Sequence, residues 1–261
     1  MSNQKVTGTM KITYELNPPK IVKDERFDLY LLNQEIQNLT KRASALIEFV
    51  DRIHLTDSVL GIPRLSSVTA ASYIKKTGNP LSLNCSLRTR DRNFTSICQL
   101  VSDAVLIGIS SLLLLMGDEP ADGRESSAMK PSDVLKILRY EKYDAVIDFN
   151  LTVPSRIKSR SSIQKKIDAS PHAFVTQSIA SLSDLGEIVD IARPHKIKVM
   201  ACIMIPSEKN KVSAEMIGLD WKEYQNNPID FIKDAGKIAN EVLLTSPNSF
   251  RFGLRLLKEL K

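Results

Sequence analysis

The chain reads as an α/β protein in which a parallel sheet closes into a barrel wrapped by helices. Three observations predict this. Short apolar runs alternate with amphipathic stretches from end to end, the pattern of strands buried beneath covering helices. The runs that qualify as strands number eight. The 261 residues match the roughly 250 of one eight-fold barrel. The expectation is one domain over residues 1–261: a single (β/α)8 TIM barrel with a C-terminal helix.

The predicted strands are residues 11–16, 46–55, 81–87, 111–116, 145–149, 173–176, 198–205 and 242–245. The fourth is the clearest, because residues 112–116 are continuously apolar, as a strand covered on both faces should be. Helices fall between the strands. Leu32, Ile36, Leu39 and Ala43 recur at helical spacing and mark the inward stripe of the first. Asn93 is a candidate N-cap, and a helix is expected to start at Ser132 and Asp133, directly after Pro131. After the seventh strand the helical pattern splits into residues 211–218 and a second piece beyond Pro228. Residues 250–260 close the chain as a helix. The first strand runs into Asn17-Pro18-Pro19-Lys20 rather than a G-x-G-x-x-G turn, which argues against an open doubly wound sheet.

Composition narrows the class. Hydrophobic residues at 43% and charged residues at 25% suit a folded globular domain and exclude a disordered one. Residues 1–10 are polar and lack the apolar core of a signal peptide. The longest apolar run, 105–116, is broken by Gly108, Ser110 and Ser111 and falls short of the roughly 20 residues that span a bilayer. A cytoplasmic protein with no membrane partner is expected. Cys85, Cys98 and Cys202 are scattered without C-x-x-C spacing and read as reduced thiols. The net charge of +6 has one cluster: Arg156, Lys158, Arg160, Lys165 and Lys166. No nucleic-acid motif or interleaved aromatics accompany it, so anionic small molecules are the expected partners and nucleic acid is not.

In such a barrel, active sites lie at the C-terminal ends of the strands. The polar residues falling there are Glu15; Thr56 and Asp57; Ser86, Arg88, Arg90 and Asp91; Gly117 and Asp118; Asn150; Thr176 and Gln177; Ser207 and Lys209. The polar loop 118–129 follows the fourth strand onto the same face. Carboxylates gathered there are candidates for acid–base chemistry, although a lone strand-end Asp is more often a helix cap. His54, His172 and His195 lack metal-ligand spacing, and no metal is expected.

The motifs then point to a family. Thr13-Tyr14-Glu15-Leu16-Asn17-Pro18-Pro19-Lys20 resembles the first-strand motif of methylenetetrahydrofolate reductases. Leu115-Met116-Gly117-Asp118-Glu119-Pro120 is similar to the family's fourth-strand signature. Lys165-Lys166-Ile167-Asp168-Ala169 with Phe174-Val175-Thr176-Gln177 resembles its later K-K and T-Q segment. Thr56-Asp57-Ser58, Pro63-Arg64-Leu65-Ser66, Thr89-Arg90-Asp91-Arg92-Asn93, Phe149-Asn150, 205–210 and Leu244-Thr245-Ser246-Pro247 are similar to the branch fused to homocysteine methyltransferases. The matches run in order from Thr13 to Pro247.

The resemblance implies an oxidoreductase of one-carbon metabolism and methionine biosynthesis. Its substrate would be 5,10-methylenetetrahydrofolate or a related C1-tetrahydropterin, reduced to the 5-methyl form by hydride from bound FAD. NAD(P)H, a partner electron-donor protein or another donor would supply the electrons. Glu15 matches the family's general acid, Asp118 the aspartate between flavin and pterin, and Gln177 a folate contact. Thr56, Asp57, Ser86, Arg88, Met116, Gly117, Asp118, Asn150, Lys165 and Lys166 fall on the flavin side. A homo-oligomer is implied too. The departures strike the flavin positions: Ser86-Leu87-Arg88-Thr89 replaces H-x-T-C, Met116 replaces an arginine, Lys130 a tyrosine, and Ala169-Ser170 an A-G pair. The family's P-E-x-H-P gives way to Asn150-Leu151-Thr152-Val153-Pro154. Two alternatives follow: direct hydride transfer from a nicotinamide without flavin, and a non-catalytic barrel subunit of a larger complex.

Overall fold

A computed structural model of the chain describes residues 10–23, 26–121, 123, 128–157 and 159–261. Eight parallel strands form a closed barrel: β1 (Lys11–Leu16), β2 (Arg52–Leu55), β3 (Ser82–Arg88), β4 (Ser111–Leu115), β5 (Asp148–Val153), β6 (Ala173–Thr176), β7 (Lys198–Met204) and β8 (Glu241–Thr245). Closure is completed by β1, which pairs with β8 on one side and β2 on the other. Helices α1 (Leu29–Ala45), α2 (Ser67–Lys76), α3 (Phe94–Ile107), α4 (Pro131–Tyr140), α5 (Arg160–Asp168) and α6 (Leu182–Ala192) follow the first six strands in turn. Two helices, α7 (Glu208–Met216) and α8 (Pro228–Ile238), follow β7, and α9 (Phe250–Leu260) ends the chain. The fold is the predicted (β/α)8 barrel with its C-terminal helix. A two-residue antiparallel ladder, Val22–Lys23 with Arg26–Phe27, precedes α1 and had no counterpart in the sequence reading.

Local chemistry sets the helix ends. The Asn93 carboxamide accepts from Ser96 N–H at 2.9 Å and starts α3, and Gly108 ends it in the left-handed region at φ 78°. Pro131 occupies the first turn of α4, where its missing N–H costs nothing. The Ser66 and Ser207 hydroxyls cap α2 and α7 in the same manner as Asn93. Of the predicted stripe on α1, Ile36, Leu39 and Ala43 are buried against the barrel.

Side chains alternate across each strand, so the barrel has two separate apolar layers. Tyr14, Leu16, Ile53, Leu55, Phe149 and Leu151 join the large core between barrel and helices. Their neighbours in sequence face the lumen. There Leu113, Val175, Met200, Cys202 and Leu243 form a small cluster of their own. Most other lumen positions are polar and buried, among them Thr13, His54, Asn84, Ser86 and Asn150.

Two predicted strands are displaced. Residues 46–50 are not strand: Leu46 caps α1, and a turn with Phe49 N–H donating to Leu46 O carries the chain into β2 at Arg52. The expected fifth strand at 145–149 begins too early: Ala145 ends a 3-10 turn, Tyr143–Ala145, residues 146–147 carry the chain on, and the strand runs from Asp148 to Val153. Its inward residues Asp148, Asn150 and Thr152 are polar, so it alternates and has no continuous apolar run to mark it. The apolar run 105–116 is divided between the end of α3 and β4. No helix among the described residues is long and apolar enough to cross a membrane.

Candidate active site

Glu15 is the last inward-facing residue of β1, since Leu16 beyond it turns outward into the main core. It keeps a little accessible surface, yet protein surrounds it closely. Burial raises its pKa above the ordinary carboxyl range, because a charge there would lose its hydration. The Thr245 hydroxyl donates to Glu15 Oε1 at 2.7 Å and partly opposes that rise. Thr245 ends the adjacent strand β8 and is itself buried. Cys202 stands close enough for the Glu15 charge to help push its thiol up to about 12, after burial. The result is a carboxyl of raised proton affinity at the C-terminal end of the lumen.

On the other side of the mouth, Arg88 ends β3 with both terminal nitrogens of its guanidinium engaged. It donates to Ser58 O, Asp118 O and Asp91 Oδ2, each at 2.8 Å. The two carbonyls belong to the connections after β2 and β4, so one side chain ties three loops together. Asp57, also buried, accepts from Arg88 N–H at 3.0 Å and from Arg92 Nη1 at 2.7 Å. Gly117 makes this clamp possible. Its φ is +84°, and a Cβ there would lie 2.7 Å from Arg88 Nε. The Asp118 side chain is exposed and accepts from Leu60 N–H at 2.8 Å. Met116 is half-buried beside it, and its carbonyl accepts from Arg90 N–H.

The remaining predicted residues scatter. Thr56 donates to Asn17 Oδ1 at 2.6 Å, in the connection directly after β1. Ser86 lies within the lumen, 2.8 Å from His54 Nε2, and burial lowers the His54 pKa to about 4. Lys166 folds back onto Thr152 O near the end of β5, and burial lowers its pKa, whereas Lys165 is exposed. Gln177 follows β6 on the same face as Glu15 and is exposed. Asn150 is a correction. It does not end β5 but sits in mid-strand, and it opens toward the N-terminal mouth of the barrel. Within the basic cluster, Arg156 is exposed and reaches Asp184 at 3.7 Å, while Lys158 lies outside the described residues. So do Asp122 and residues 124–127 of the polar loop, and residues 1–9.

Sequence reasoning missed Asn210. Fully buried, it donates to Ile205 O and Ser246 Oγ and accepts from Asn248 N–H, locking the connections after β7 and β8 beside Glu15. The signal available was the pair of short polar segments 207–210 and 246–249, each following a strand. It also missed Thr245 as the partner of Glu15, although register places both at the ends of paired strands. Among the described residues, no group of three or more His, Cys, Asp or Glu is placed to hold a metal ion. A cavity of about 310 Å³ lies between the β1–α1 connection and α1, but Glu15 does not line it.

No family model and no curated protein matches the chain. Solved structures resemble it. A protein from Aquifex aeolicus VF5 superposes with a TM-score of 0.57 at 11% identity, over 96% of this chain and 91% of that one. Tryptophan synthase from M. tuberculosis, in its open form with BRD0059 bound, superposes with a TM-score of 0.52 at 12% identity, over 96% and 89%. Its aminoacrylate- and BRD0059-bound form gives 0.52 at 13% identity over the same shares. At these identities the likeness shows the barrel fold alone.

Proposed function

We propose that this chain reduces a C1-tetrahydropterin, 5,10-methylenetetrahydrofolate or a close analogue, to its 5-methyl form. The observation that carries the reading is Glu15: a carboxyl at the C-terminal end of β1, its proton affinity raised by burial and its Oε1 held by Thr245. Reduction adds hydride to the bridging methylene carbon while one of its C–N bonds breaks. The departing nitrogen must take a proton as the electron pair of that bond returns to it. A neutral carboxylic acid at the mouth of a barrel suits that transfer. Glu15 would give up its proton to the nitrogen and recover one from solvent.

The hydride source is less well matched to a bound flavin. Of the positions that would face it, Arg88 is spent on two carbonyls and Asp91, and Asp57 is held by Arg92. Ser86 is bonded to His54, Lys166 to Thr152 O, and Asn150 opens to the other end of the barrel. These internal bonds leave fewer side chains free to hold a flavin, which weighs against the flavin-dependent route. The reading they favour is hydride delivered directly by a reduced nicotinamide, which leaves oxidised. Asp118 and Gln177, exposed on the same face, remain available to contact the pterin.

The test is turnover of methylenetetrahydrofolate by the purified protein, followed as loss of reduced-nicotinamide absorbance, with a visible spectrum recorded first. A colourless protein that consumes nicotinamide, and whose Glu15→Gln variant binds the pterin but does not turn it over, supports the proposal. A flavin spectrum would restore the flavin-dependent route. Full turnover by Glu15→Gln, or none by wild type with either nicotinamide or added FAD, would remove the assignment.

A further inference from the structure

The opposite, N-terminal mouth of the barrel holds a second polar chamber. It has a cavity volume of about 1310 Å³ and reaches inward to Asn84 on β3 and Asn150 on β5. Asn84 is 2% exposed, and neither its carboxamide oxygen nor its nitrogen finds a protein partner. Asn150, 4% exposed, donates to Ser111 Oγ at 3.2 Å but leaves its oxygen unpartnered. An unsatisfied buried polar atom costs about 1–3 kcal/mol. Three such atoms at the floor of one cavity are not what a packing layer needs, since Val or Leu would fill the lumen without that cost.

Charge selects what would meet them. The rim carries seven cations, Lys11, Arg52, Arg193, Lys196, Lys198, Lys233 and Lys237, of which Arg193 and Lys237 pair with Asp190 and Asp234 outside it, against two carboxylates, Asp148 and Glu241. Both carboxylates are already committed: Glu241 to Arg52 at 2.7 Å, and Asp148 to His172 Nδ1 at 3.2 Å. Lys198 Nζ lies 3.2 Å from His172 Nε2. That contact fits a neutral imidazole donating to Asp148 and accepting from Lys198, and burial together with Lys198 and Arg52 lowers the His172 pKa. Lys11, Lys196 and Lys233 have no ion pair among the described residues. The chamber is therefore cationic at its rim and a neutral donor–acceptor surface at its floor. The lumen cluster of Leu113, Val175, Met200, Cys202 and Leu243 stands between it and Glu15. Met200 lines the chamber, and Cys202 feels the Glu15 charge.

We infer that the N-terminal mouth is a second binding site, for a small organic anion whose charged end meets Lys198 and its neighbours and whose hydroxyl or amide end meets Asn84 and Asn150. It is separate from the Glu15 mouth and independent of the reaction proposed there. L-malate and glycerol 3-phosphate are suitable probes, one a carboxylate and one a phosphate, each carrying a hydroxyl. Isothermal titration of the full chain should show saturable binding of at least one, and the identity of the binder distinguishes carboxylate from phosphate. Asn84→Leu and Lys198→Met should each weaken it about tenfold or more, which is about 1.4 kcal/mol, while Glu15→Gln binds as wild type. Lys198 is a rim residue, so its variant keeps the test decisive where Asn84→Leu fails to fold. Side-chain amide resonances of Asn84 should also shift on titration. The inference is overturned by no saturable binding of either probe, by both variants binding as wild type, or by binding lost in Glu15→Gln.

Discussion

Replacing Arg88 by Met tests whether this residue is an internal clamp or a cofactor contact. The substitution keeps most of the aliphatic stem and removes the guanidinium. Three hydrogen bonds of 2.8 Å disappear, to Ser58 O, Asp118 O and Asp91 Oδ2. Hydrogen bonds to a charged group contribute about 1.5–3 kcal/mol each. The Asp91 side chain is 39% exposed, so its ion pair is screened and adds little. The two carbonyl bonds dominate, and the expected loss is about 3–5 kcal/mol. Part of it will appear as local opening of the loops after β2 and β4, because those are what Arg88 ties together. Urea unfolding at neutral pH, with hydrogen exchange at Leu60 N–H, reads both effects. Leu60 N–H is a useful reporter because it donates to the Asp118 side chain. A loss below about 1 kcal/mol with unchanged exchange at Leu60 would refute the clamp and return Arg88 to the mouth as a ligand-binding residue.

Other perturbations follow the same logic. Glu15 titrates at a higher pH in the fold than its ordinary 4.5, so its contribution to stability is full at acid pH and is lost as pH rises toward the folded value. Glu15→Gln should thus melt higher than wild type at neutral and alkaline pH and converge with it below the ordinary range; a pH-independent offset would contradict the buried acid. His54 has the opposite sense: depressed from 6.5 to about 4 by burial, it favours the fold above 6.5, and about 3 kcal/mol is lost as pH falls to about 4. His54→Gln should flatten that acid limb in urea midpoints measured across the interval, and an unchanged slope would argue for a His54 that titrates normally. Gly253→Ala on α9 would set a Cβ 1.9 Å from the Tyr14 hydroxyl. Overpacking of about 1–3 kcal/mol should outweigh the roughly 1 kcal/mol gained in helix propensity, and pairing it with Tyr14→Phe should recover only part of the loss, because the ring Cζ would still lie 2.8 Å from the new Cβ.

The barrel was legible because its outer core is written in runs. Leu112 to Leu115 and Ala173 to Thr176 announce their strands, and caps such as Asn93 announce the helices between. Strand β5 was misplaced because its lumen side is Asp148, Asn150 and Thr152, and a polar inner face halves the apolar signal. Glu15 could be read from its place at the end of β1, and the resemblance implied a raised proton affinity, but its surroundings could not be read. They depend on burial and on Thr245, a residue 230 positions away that only closure of the barrel brings near. Arg88 shows the converse. A strand-end arginine reads as a ligand contact in sequence, and only the carbonyls of Ser58 and Asp118 reveal that its terminal nitrogens are already engaged.

A closed barrel lumen obliges every inward side chain to find its partners among the same eight strands or from outside. At the C-terminal end the chain supplies them itself: Thr245 for Glu15, Arg92 for Asp57, Asn210 for the loops beyond β7 and β8. At the N-terminal end it supplies Glu241 for Arg52 and Asp148 for His172, then stops short at Asn84. The two ends thus differ in kind. One raises the proton affinity of a carboxyl whose surroundings disfavour its charge, which is what a proton donor requires. The other presents neutral amides beneath a surplus of cations, which is what recognition of a small anion requires. An apolar cluster of five side chains lies between them, so a ligand at either mouth meets its own set of groups and the two sites can be probed by separate substitutions.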